Sequence, residues 1–532
     1  MARRFRKQRK MNVQQALEFL QNMHAVDSDG GSDIEFEMEE DSDASDSELE
    51  PEPECDTVPP AETPQAPLCK RARTEPTEQT QRTERARHGT VWEEQSVGAA
   101  RSAGRLPAHM VLTETAGPTH HAKARIASRL DCFLSLVDTE MLTQIRDCSV
   151  AEACRTDAKL DLTVDELMAF IALCYVRGLY GGKSMDMESY WSEIFGLPFF
   201  KETMPRNRYR QIMKCLRFDN KDTRAERLLA DKFALISDTW NSFVKNSIAC
   251  YKPGQNITVG EQLFLTKSRC PFTTASKPDK FGIKFWIAAD VDTKYMLNAL
   301  PYLGKDPTRP AGERASETVV MRLIEPFTGK GRNVTMDNFF TSLSLADKLI
   351  AKNTSILGTM NKIRQELPPS VKVDTPTELF STTVMTSGKA SLTIYRCKPK
   401  KSICILSTMH PTVIIGTEKK KKPDTVTDYN NTKGSVDVLD QMARLYSVKG
   451  GTRRWPVAVF YNMLDLAAIN AHVLYKTCLD ERENRRDFIM GLACELRQNH
   501  MKTKAAATAA ETAVRVTATL DVPLAPGKTT QC

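Results

Sequence analysis

The spacing of apolar positions divides the chain into a polar N-terminal part, a helical part, a strand-rich middle and a second helical part. Apolar periodicity starts near His121. The stretch Asp161 to Leu167 is typical of a capped helix start. One apolar face at positions i, i+3, i+4 and i+7 predicts a helix after Pro205, and a longer apolar period predicts another after Pro456. The residues on these two faces are Tyr209, Ile212, Met213, Leu216 and Val457, Phe460, Tyr461, Leu464, Ala468, Ala471, Tyr475.

The middle of the chain predicts strands that end near carboxylates. β-branched and aromatic residues between turn signals predict four strands, at Asn256 to Leu265, Ile283 to Asp290, Tyr295 to Leu303 and Asn333 to Met336. The last strand delivers Asp337 at its carboxyl end, and a helix is predicted from Ser342 to Lys352. Ligands collect at the carboxyl ends of strands in mixed α/β sheets, so Asp337 is a candidate site residue.

A weaker pattern separates this region from a further helix. Residues 364–425 contain a hairpin-like stretch, Leu392 to Leu406, and the basic runs Lys398 to Lys401 and Lys419 to Lys422. The helix that follows carries Asp437 and Asp440, which lie three residues apart and so share a face. The helix dipole favours acids in a first turn, and this explanation competes with metal binding.

Charge is strongly segregated along the 532 residues. Residues 1–26 carry +5 and residues 27–56 carry −15, so a net charge of +7 leaves +17 on residues 57–532. The positive charge of residues 57–532 attracts a polyanion, and the acidic segment repels one or recruits protein partners. The alternative is a solvated tail that aids solubility.

Other bulk features narrow the class of protein. The 14 cysteines form no Cys-x-x-Cys pair, which favours a reducing compartment. The sequence shows neither eighteen consecutive apolar residues nor an apolar N-terminus, so we expect no membrane partner. The acidic and Pro-rich composition of residues 1–115 predicts disorder. Basic clusters at Arg3 to Lys10 and Lys70 to Arg73 suggest nuclear import.

Five sequence blocks follow one another along the chain. They are Met204 to Arg210 continuing to Leu216–Lys221, Lys277 to Lys284, Asp337-Asn338-Phe339-Phe340-Thr341-Ser342, Tyr429 to Asp437, and Arg453-Arg454-Trp455-Pro456. In this order and spacing they resemble the piggyBac transposases and host proteins derived from them, and the resemblance runs from about residue 120 to 500.

The resemblance implies an α/β fold with a ribonuclease-H-like, DDE-type catalytic core, an insertion domain and a helical DNA-binding domain built from flanking segments. The expected division is 1–115 disordered, 116–254 helical DNA-binding (first part), 255–363 core (first part), 364–425 insertion, 426–446 core (last helix), 447–505 helical DNA-binding (second part) and 506–532 disordered tail.

In that family three aspartates bind two divalent metals, Mg²⁺ or Mn²⁺, which drive in-line displacement at phosphorus. The second and third aspartates fall on Asp337 and Asp437, with Asp440 as an auxiliary metal ligand. The first falls on Gly260, in Val259-Gly260-Glu261. Side chains alternate across a strand, so Glu261 replaces it only through a bulge or a register change. Asp290 and Asp292 are other conceivable replacements, although family members carry an acid there in addition to the triad.

A second departure lies at the C-terminus. Residues 503–532 contain an Ala/Thr run and one cysteine, Cys532, so the four ligands of a zinc module are absent. DNA recognition is then left to the helical domain and the basic insertion. The candidate phosphate contacts are Arg206, Arg208, Arg210, Lys214, Arg217, Arg453 and Arg454. For Arg206, Arg210, Lys214 and Arg217, the competing explanation is the solvated basic face of an ordinary amphipathic helix.

Two hypotheses follow. The first is a nuclear, transposase-derived protein that binds double-stranded DNA, with metal binding and catalysis impaired by Gly260, and with chromatin or protein partners at its acidic N-terminus. The second is a residually active metal-dependent transposase or nuclease that uses Asp337 and Asp437. A decaying transposon copy without a selected role is a third possibility. Family members cut as dimers, so a homodimer is an expected assembly.

Overall fold

A computed structural model describes residues 82–98, 107–156, 160–181, 186–277, 280–304, 309, 312–372, 378–399 and 401–520. The predicted acidic and Pro-rich segment, both basic clusters and Cys532 therefore lie outside the described residues.

Helices dominate the chain before residue 251. The predicted capped helix start is confirmed, because the Thr163 hydroxyl accepts a hydrogen bond from Glu166 N at 3.1 Å. The helix predicted after Pro205 is confirmed as well. The α-helices of this part are α1 (His120–Lys123), α2 (Arg129–Leu134), α3 (Thr139–Arg155), α4 (Val164–Leu179), α5 (Pro198–Thr203), α6 (Arg206–Cys215), α7 (Arg224–Ala230) and α8 (Ser237–Cys250), and 3₁₀ turns span Ala108–Met110 and Met187–Trp191.

The strands form one large mixed sheet and a two-stranded pair. The strands are β1 (Thr83–Arg85), β2 (Val91–Gln95), β3 (Gly117–Pro118), β4 (Tyr251–Lys252), β5 (Asn256–Leu265), β6 (Thr274–Lys277), β7 (Lys280–Asp290), β8 (Met296–Pro301), β9 (Asn333–Met336), β10 (Ser355–Thr359), β11 (Thr382–Ser387), β12 (Ala390–Lys398) and β13 (Lys401–Ser407). The large sheet has the order β1-β2-β11-β12-β13-β10-β9-β5-β7-β6, with β8 also paired to β7, while β3 pairs with β4.

The centre of the large sheet combines both strand directions. β7 runs antiparallel to both of its neighbours, β8 and β5, and β9 and β10 then run parallel to β5. The predicted bounds of β5 and β9 are confirmed without change, because β-branched and aromatic residues between turn signals mark these strands in the sequence. Helices α9 (Ala315–Ile324) and α10 (Leu343–Ala351) flank β9 in the chain, with a 3₁₀ turn at Glu325–Phe327 between them.

The segment expected to be an insertion adds strands to the same sheet. β12 and β13 form the predicted Leu392–Leu406 hairpin. β13 also pairs antiparallel with β10, so the hairpin extends the sheet beyond the central strands. Besides these strands, the short helix α11 (Pro369–Lys372) lies in this range.

Residues 82–98 fall in the range predicted to be disordered, yet they form β1 and β2. β2 pairs with β11, and the Trp92 side chain is fully buried, with its ring N–H donating to Glu366 O at 2.8 Å. The apolar area of one tryptophan and pairing to a distant strand stabilise a segment that is polar on average. Composition alone did not reveal this, and the predicted disorder does not extend through these residues.

The C-terminal part is helical. It contains α12 (Asp424–Thr432), α13 (Ser435–Leu445), α14 (Trp455–Leu479) and α15 (Arg485–Leu520). Helix α14 docks on the region of α6 as expected, since the Phe218 and Phe460 rings lie 4.9 Å apart. Residues 506–520 of the predicted disordered tail continue α15, in keeping with the high helix propensity of alanine. Residues 521–532 are outside the described range.

Among the described residues, α14 alone is long and apolar enough by composition to cross a membrane. However, 94% of its most apolar window is buried inside the protein. Buried polar residues Asn462, Asp465 and Asn470 lie along it. The helix has the properties of a central core helix.

The close approach of β10 to the turn after β9 gives a stability prediction. A methyl group at Gly358 would lie 2.2 Å from Thr341 Oγ1 and 2.8 Å from Met336 O. We expect Gly358→Ala to lower the free energy of unfolding by about 1–3 kcal/mol, since backbone atoms have to move. Gly434→Ala is the matched control, because its methyl meets nothing within 4 Å and φ is −88°. Urea unfolding measures both variants, and equal stability of the two would contradict the argument.

Candidate functional site

Strand β5 turns one face toward the C-terminal helices. The hydroxyl of Thr258 donates to Thr432 O at the end of α12, and Gln262 donates to Asp440 Oδ1 on α13 at 3.1 Å. Gly260 lies between them in sequence and shares their face. A Cβ at this position would lie 3.1 Å from the Cβ of Val436. Position 260 therefore points at the first turn of the helix that carries Asp437.

Asp337 lies beside position 260. Thr258 is in register with Thr335 on the parallel strand β9, and two residues farther along the two strands come Gly260 and Asp337. The Asp337 carboxylate accepts a hydrogen bond from Phe339 N at 3.1 Å. The structure thus brings Gly260, Asp337 and the start of α13 to one end of the central strands.

The environment raises the pKa of the Asp337 carboxyl to about 6. Loss of hydration is the main cause, and the negative charge of Glu261 adds to it, while backbone N–H groups of Phe339 and Phe340 and the charge of Lys284 oppose it. The side chain nevertheless retains an exposed surface. Because water reaches the carboxyl, screening limits the effect of this rise on stability.

Glu261 lies on the opposite face of β5 from position 260. Its carboxylate pairs with Lys284 Nζ at 2.5 Å, and its side chain is 50% exposed. The register with β7 is continuous from Ile257 to Leu265, so no bulge turns Glu261 around. Glu261 therefore influences Asp337 by charge, but it does not take the place of a side chain at 260.

Asp290 has a structural role. One of its oxygens accepts from Gly254 N at 2.8 Å, and the other accepts from Thr293 N and Oγ1 at 2.9 and 2.7 Å. The Asp290 side chain is buried. Asp292 lies two residues later, in the turn after β7. These bonds fix Asp290 in that turn.

The two acids of α13 have different surroundings. Asp437 lies in the first turn with an exposed side chain. Asp440 pairs with Arg444 and accepts from Gln262, and burial raises its pKa despite these partners. Asp440 is thus committed to holding α13 on β5. Gln262 was absent from the predicted site residues. The signal for it in the sequence is a polar residue on the same face of the strand as Thr258 and Gly260.

Among the residues that the structure describes, no group of three or more His, Cys, Asp or Glu side chains is placed to hold a metal ion. Asp337 and Asp437 lie near position 260, where a glycine supplies no further carboxylate. The carboxylate of Asp440 is paired with Arg444. The residues present therefore do not fit a two-metal site.

Three of the candidate DNA-binding arginines make internal contacts. Arg208 binds Glu166 through two nitrogens at 2.7 Å, and Arg217 binds Glu152 at 2.7 Å. Arg454 donates to carbonyls at the C-terminal end of α6, including Leu216 O at 2.8 Å. It joins the two helical segments, and burial is the largest cause of its lowered pKa. These side chains stabilise the fold.

The other four candidates are more accessible. Arg206 and Arg210 share one carboxylate, Glu188, at 3.6 and 3.0 Å, and are about half exposed. Lys214 and Arg453 are exposed. Trp455, two residues after Arg453, is buried against the Phe233 and Phe272 rings and acts as a packing anchor.

The raised pKa of Asp337 predicts a pH-dependent stability. The folded protein binds more protons at this carboxyl than the unfolded chain does between about pH 4 and pH 6, so stability falls as the pH rises through that range. We expect Asp337→Asn to flatten this part of the curve and to be more stable than wild type at pH 7. Urea unfolding across the pH series measures the effect. Glu261→Gln should shift the wild-type inflection to lower pH, and an unchanged curve for Asp337→Asn would contradict the assignment.

Comparison with known proteins identifies relatives that share most of this fold. A family model described as Transposase IS4 matches residues 128–472. Human PiggyBac transposable element-derived protein 3 is 23% identical over 394 residues, covering 70% of this chain and 64% of the relative. The human Chimeric ERCC6-PGBD3 protein is 23% identical over 394 residues, covering 70% of this chain and 36% of that protein. The chain thus spans less than two thirds of either curated relative.

A solved structure supports the same relationship. The cryo-EM structure of a piggyBac transposase synaptic complex with hairpin DNA matches with a TM-score of 0.71 and 29% identity, covering 78% of this chain and 90% of that chain. Both are α/β proteins with a large mixed sheet and many helices. The family model spans well over half of the chain, and the chain belongs to the piggyBac-type transposases of the Transposase IS4 family.

Proposed function

We propose that this transposase-derived protein binds double-stranded DNA in the nucleus and that its metal-dependent strand chemistry is impaired. The observation that carries the proposal is the packing at position 260. Gly260 faces Val436 and lies beside Asp337, while Glu261 is held on the other strand face by Lys284. This geometry supports the assignment of position 260 to the first metal ligand, whose carboxylate is missing in this chain.

The topology supports a ribonuclease-H-like core for this chain. Three antiparallel strands, β8, β7 and β5, are followed by the parallel strands β9 and β10, which is the order expected for such a core. We infer that β11–β13 belong to the insertion and that α1–α8, α14 and α15 form the helical DNA-binding part. Arg454 supports a joint helical part, because it ties α14 to α6 across the chain.

Two observations support the proposal of DNA binding: the positive charge of the chain and the DNA complex of a relative. The matching piggyBac structure is a complex with hairpin DNA. In this chain, Lys214, Arg453 and the lysines near 420 are exposed on a body of strong positive charge. A homodimer, and protein or chromatin partners for the acidic segment, belong to the proposal on sequence grounds alone.

The second candidate is a residually active transposase or nuclease that uses Asp337 and Asp437. It is favoured by the exposure of both carboxylates at the same end of the sheet. Divalent metals are held in such sites largely by carboxylate charge, so two acids give poor affinity and geometry.

Restoring the missing carboxylate tests the impairment. An aspartate at 260 meets Val436 Cβ at 3.1 Å and its methyl carbons at 3.3 and 3.4 Å, so we combine Gly260→Asp with Val436→Ala. We expect this double variant to raise Mn²⁺ affinity by on the order of tenfold or more, since one carboxylate is added. Strand cleavage is expected to appear only in this variant. Calorimetric Mn²⁺ titration and a cleavage assay on hairpin and duplex DNA measure the two effects.

The matched control is Gly260→Asn with Val436→Ala, which has the same shape without the charge. Asp337→Ala is tested in the wild-type background. Wild-type cleavage that Asp337→Ala abolishes would establish the second candidate. Failure of the double variant to bind Mn²⁺ better than its asparagine control would contradict the role given to Gly260.

Neutralising exposed and internal basic residues separates DNA contact from folding. We expect Lys214→Gln and Arg453→Gln each to reduce the slope of log affinity against log salt by about 0.9, as one phosphate contact is lost. Their stability should stay within about 0.5 kcal/mol of wild type. Arg454→Gln should instead lower stability by about 1–3 kcal/mol, because buried carbonyls lose a charged donor. Fluorescence anisotropy across a salt series and urea unfolding check this, and a salt-independent wild type would refute DNA binding.

A further inference from the structure

The turn after β9 carries an exposed aromatic surface beside Asp337. Phe339 stacks on Trp286 with centroids 5.5 Å apart and planes 14° apart. Phe340 packs edge-on against both rings, at 5.0 and 5.2 Å. Trp286 and Phe340 are buried, whereas Phe339 is 50% exposed. One face of the Phe339 ring is therefore supported, and the ring still presents surface to solvent. We call these three rings the aromatic platform.

We infer that the aromatic platform stacks an unpaired nucleobase of bound DNA. The inference rests on the proposed DNA-binding function and adds to it a preference for DNA that contains unpaired bases. Base–aromatic stacking tolerates any sequence because every base has a π-face. In an intact duplex each base is already stacked and paired, so only an unpaired base is available to lie on Phe339.

The backbone beneath the platform is held in place. One Arg364 nitrogen donates to Asn338 O and Phe339 O, both at 3.2 Å. Phe339 N donates to Asp337, and the Thr341 hydroxyl donates to Asp337 O at 2.7 Å. The ring position is thus fixed before any ligand arrives, which reduces the entropy lost on binding.

The charges around the platform favour a neutral ring over a phosphate. Asp337 and Glu261 lie close enough to interact electrostatically, and both repel phosphate oxygens. Lys284 lies 4.2 Å from the Trp286 ring centroid, but its charge is paired with Glu261. An uncharged base avoids this repulsion. Asn338, exposed beside the ring, offers a side-chain amide that can hydrogen-bond to a base edge.

Two matched DNA probes test the inference in metal-free buffer with EDTA. One is a 30-base-pair duplex, and the other is the same duplex with a central four-nucleotide mismatch bubble that carries 2-aminopurine. We expect wild type to bind the bubble roughly 5- to 100-fold more tightly than the duplex, and to quench 2-aminopurine as the base stacks. Phe339→Ala should lose both effects and keep the duplex affinity. Phe339→Trp should retain both.

Phe281→Ala is the matched control. Phe281 is a 56% exposed phenylalanine five residues before Trp286, on the other face of β7. It should behave as wild type. Equal affinity of wild type for the two probes, no quenching, or an equal loss of bubble preference in Phe281→Ala and Phe339→Ala would overturn the inference while duplex binding still stands. No binding to either probe would overturn the proposed function as well.

Discussion

The structure depends on the packing of the C-terminal helices against one face of β5. Three alternate residues of that strand make the contacts: Thr258 with the end of α12, Gly260 with Val436, and Gln262 with both α13 and α14. Gln262 is 1% exposed, donates to Asp440 and accepts from Asn462 at 2.9 Å. A buried amide costs free energy unless it is satisfied, so this residue fixes how the helices lie on the sheet. The same packing brings Asp437 to the end of the central strands.

This constraint explains why a glycine at position 260 has only a small effect on the fold. Gly260 lies in a helix contact where a Cβ is already tight against Val436, so the loss of a side chain leaves no large cavity. The fold therefore tolerates glycine there. The neighbouring acid does not compensate, because the period of a strand is two and Glu261 lies on the other face, paired with Lys284. Only a register shift would turn it around, and that shift would also misplace Thr258 and Gln262.

Local patterns in the sequence predicted the parts of this arrangement that local physics determines. The bounds of β5 and β9, the Thr163 cap and the helix after Pro205 follow from periodicity and capping. The remaining features depend on partners far away in the chain. Arg208 and Arg454 belong to basic runs, but their contacts with Glu166 and with the end of α6 appear only in the fold. Likewise, nothing local predicts that β2 pairs with β11, or that Trp286 meets Phe339.

Under the proposed function, the missing carboxylate at position 260 limits how DNA can bind near Asp337. In a complete metal site, divalent cations neutralise both the carboxylates and the phosphate between them. Here Asp337 and Glu261 lie near each other with Lys284 as the nearby cation, and the raised pKa of Asp337 reflects poor hydration and this negative neighbour. A phosphate at this point is opposed by charge. Affinity must then come from exposed basic residues outside the site, such as Lys214 and Arg453, and from neutral contacts within it. In this proposal the aromatic platform supplies such a contact, so DNA binding does not depend on the chemistry of strand cleavage.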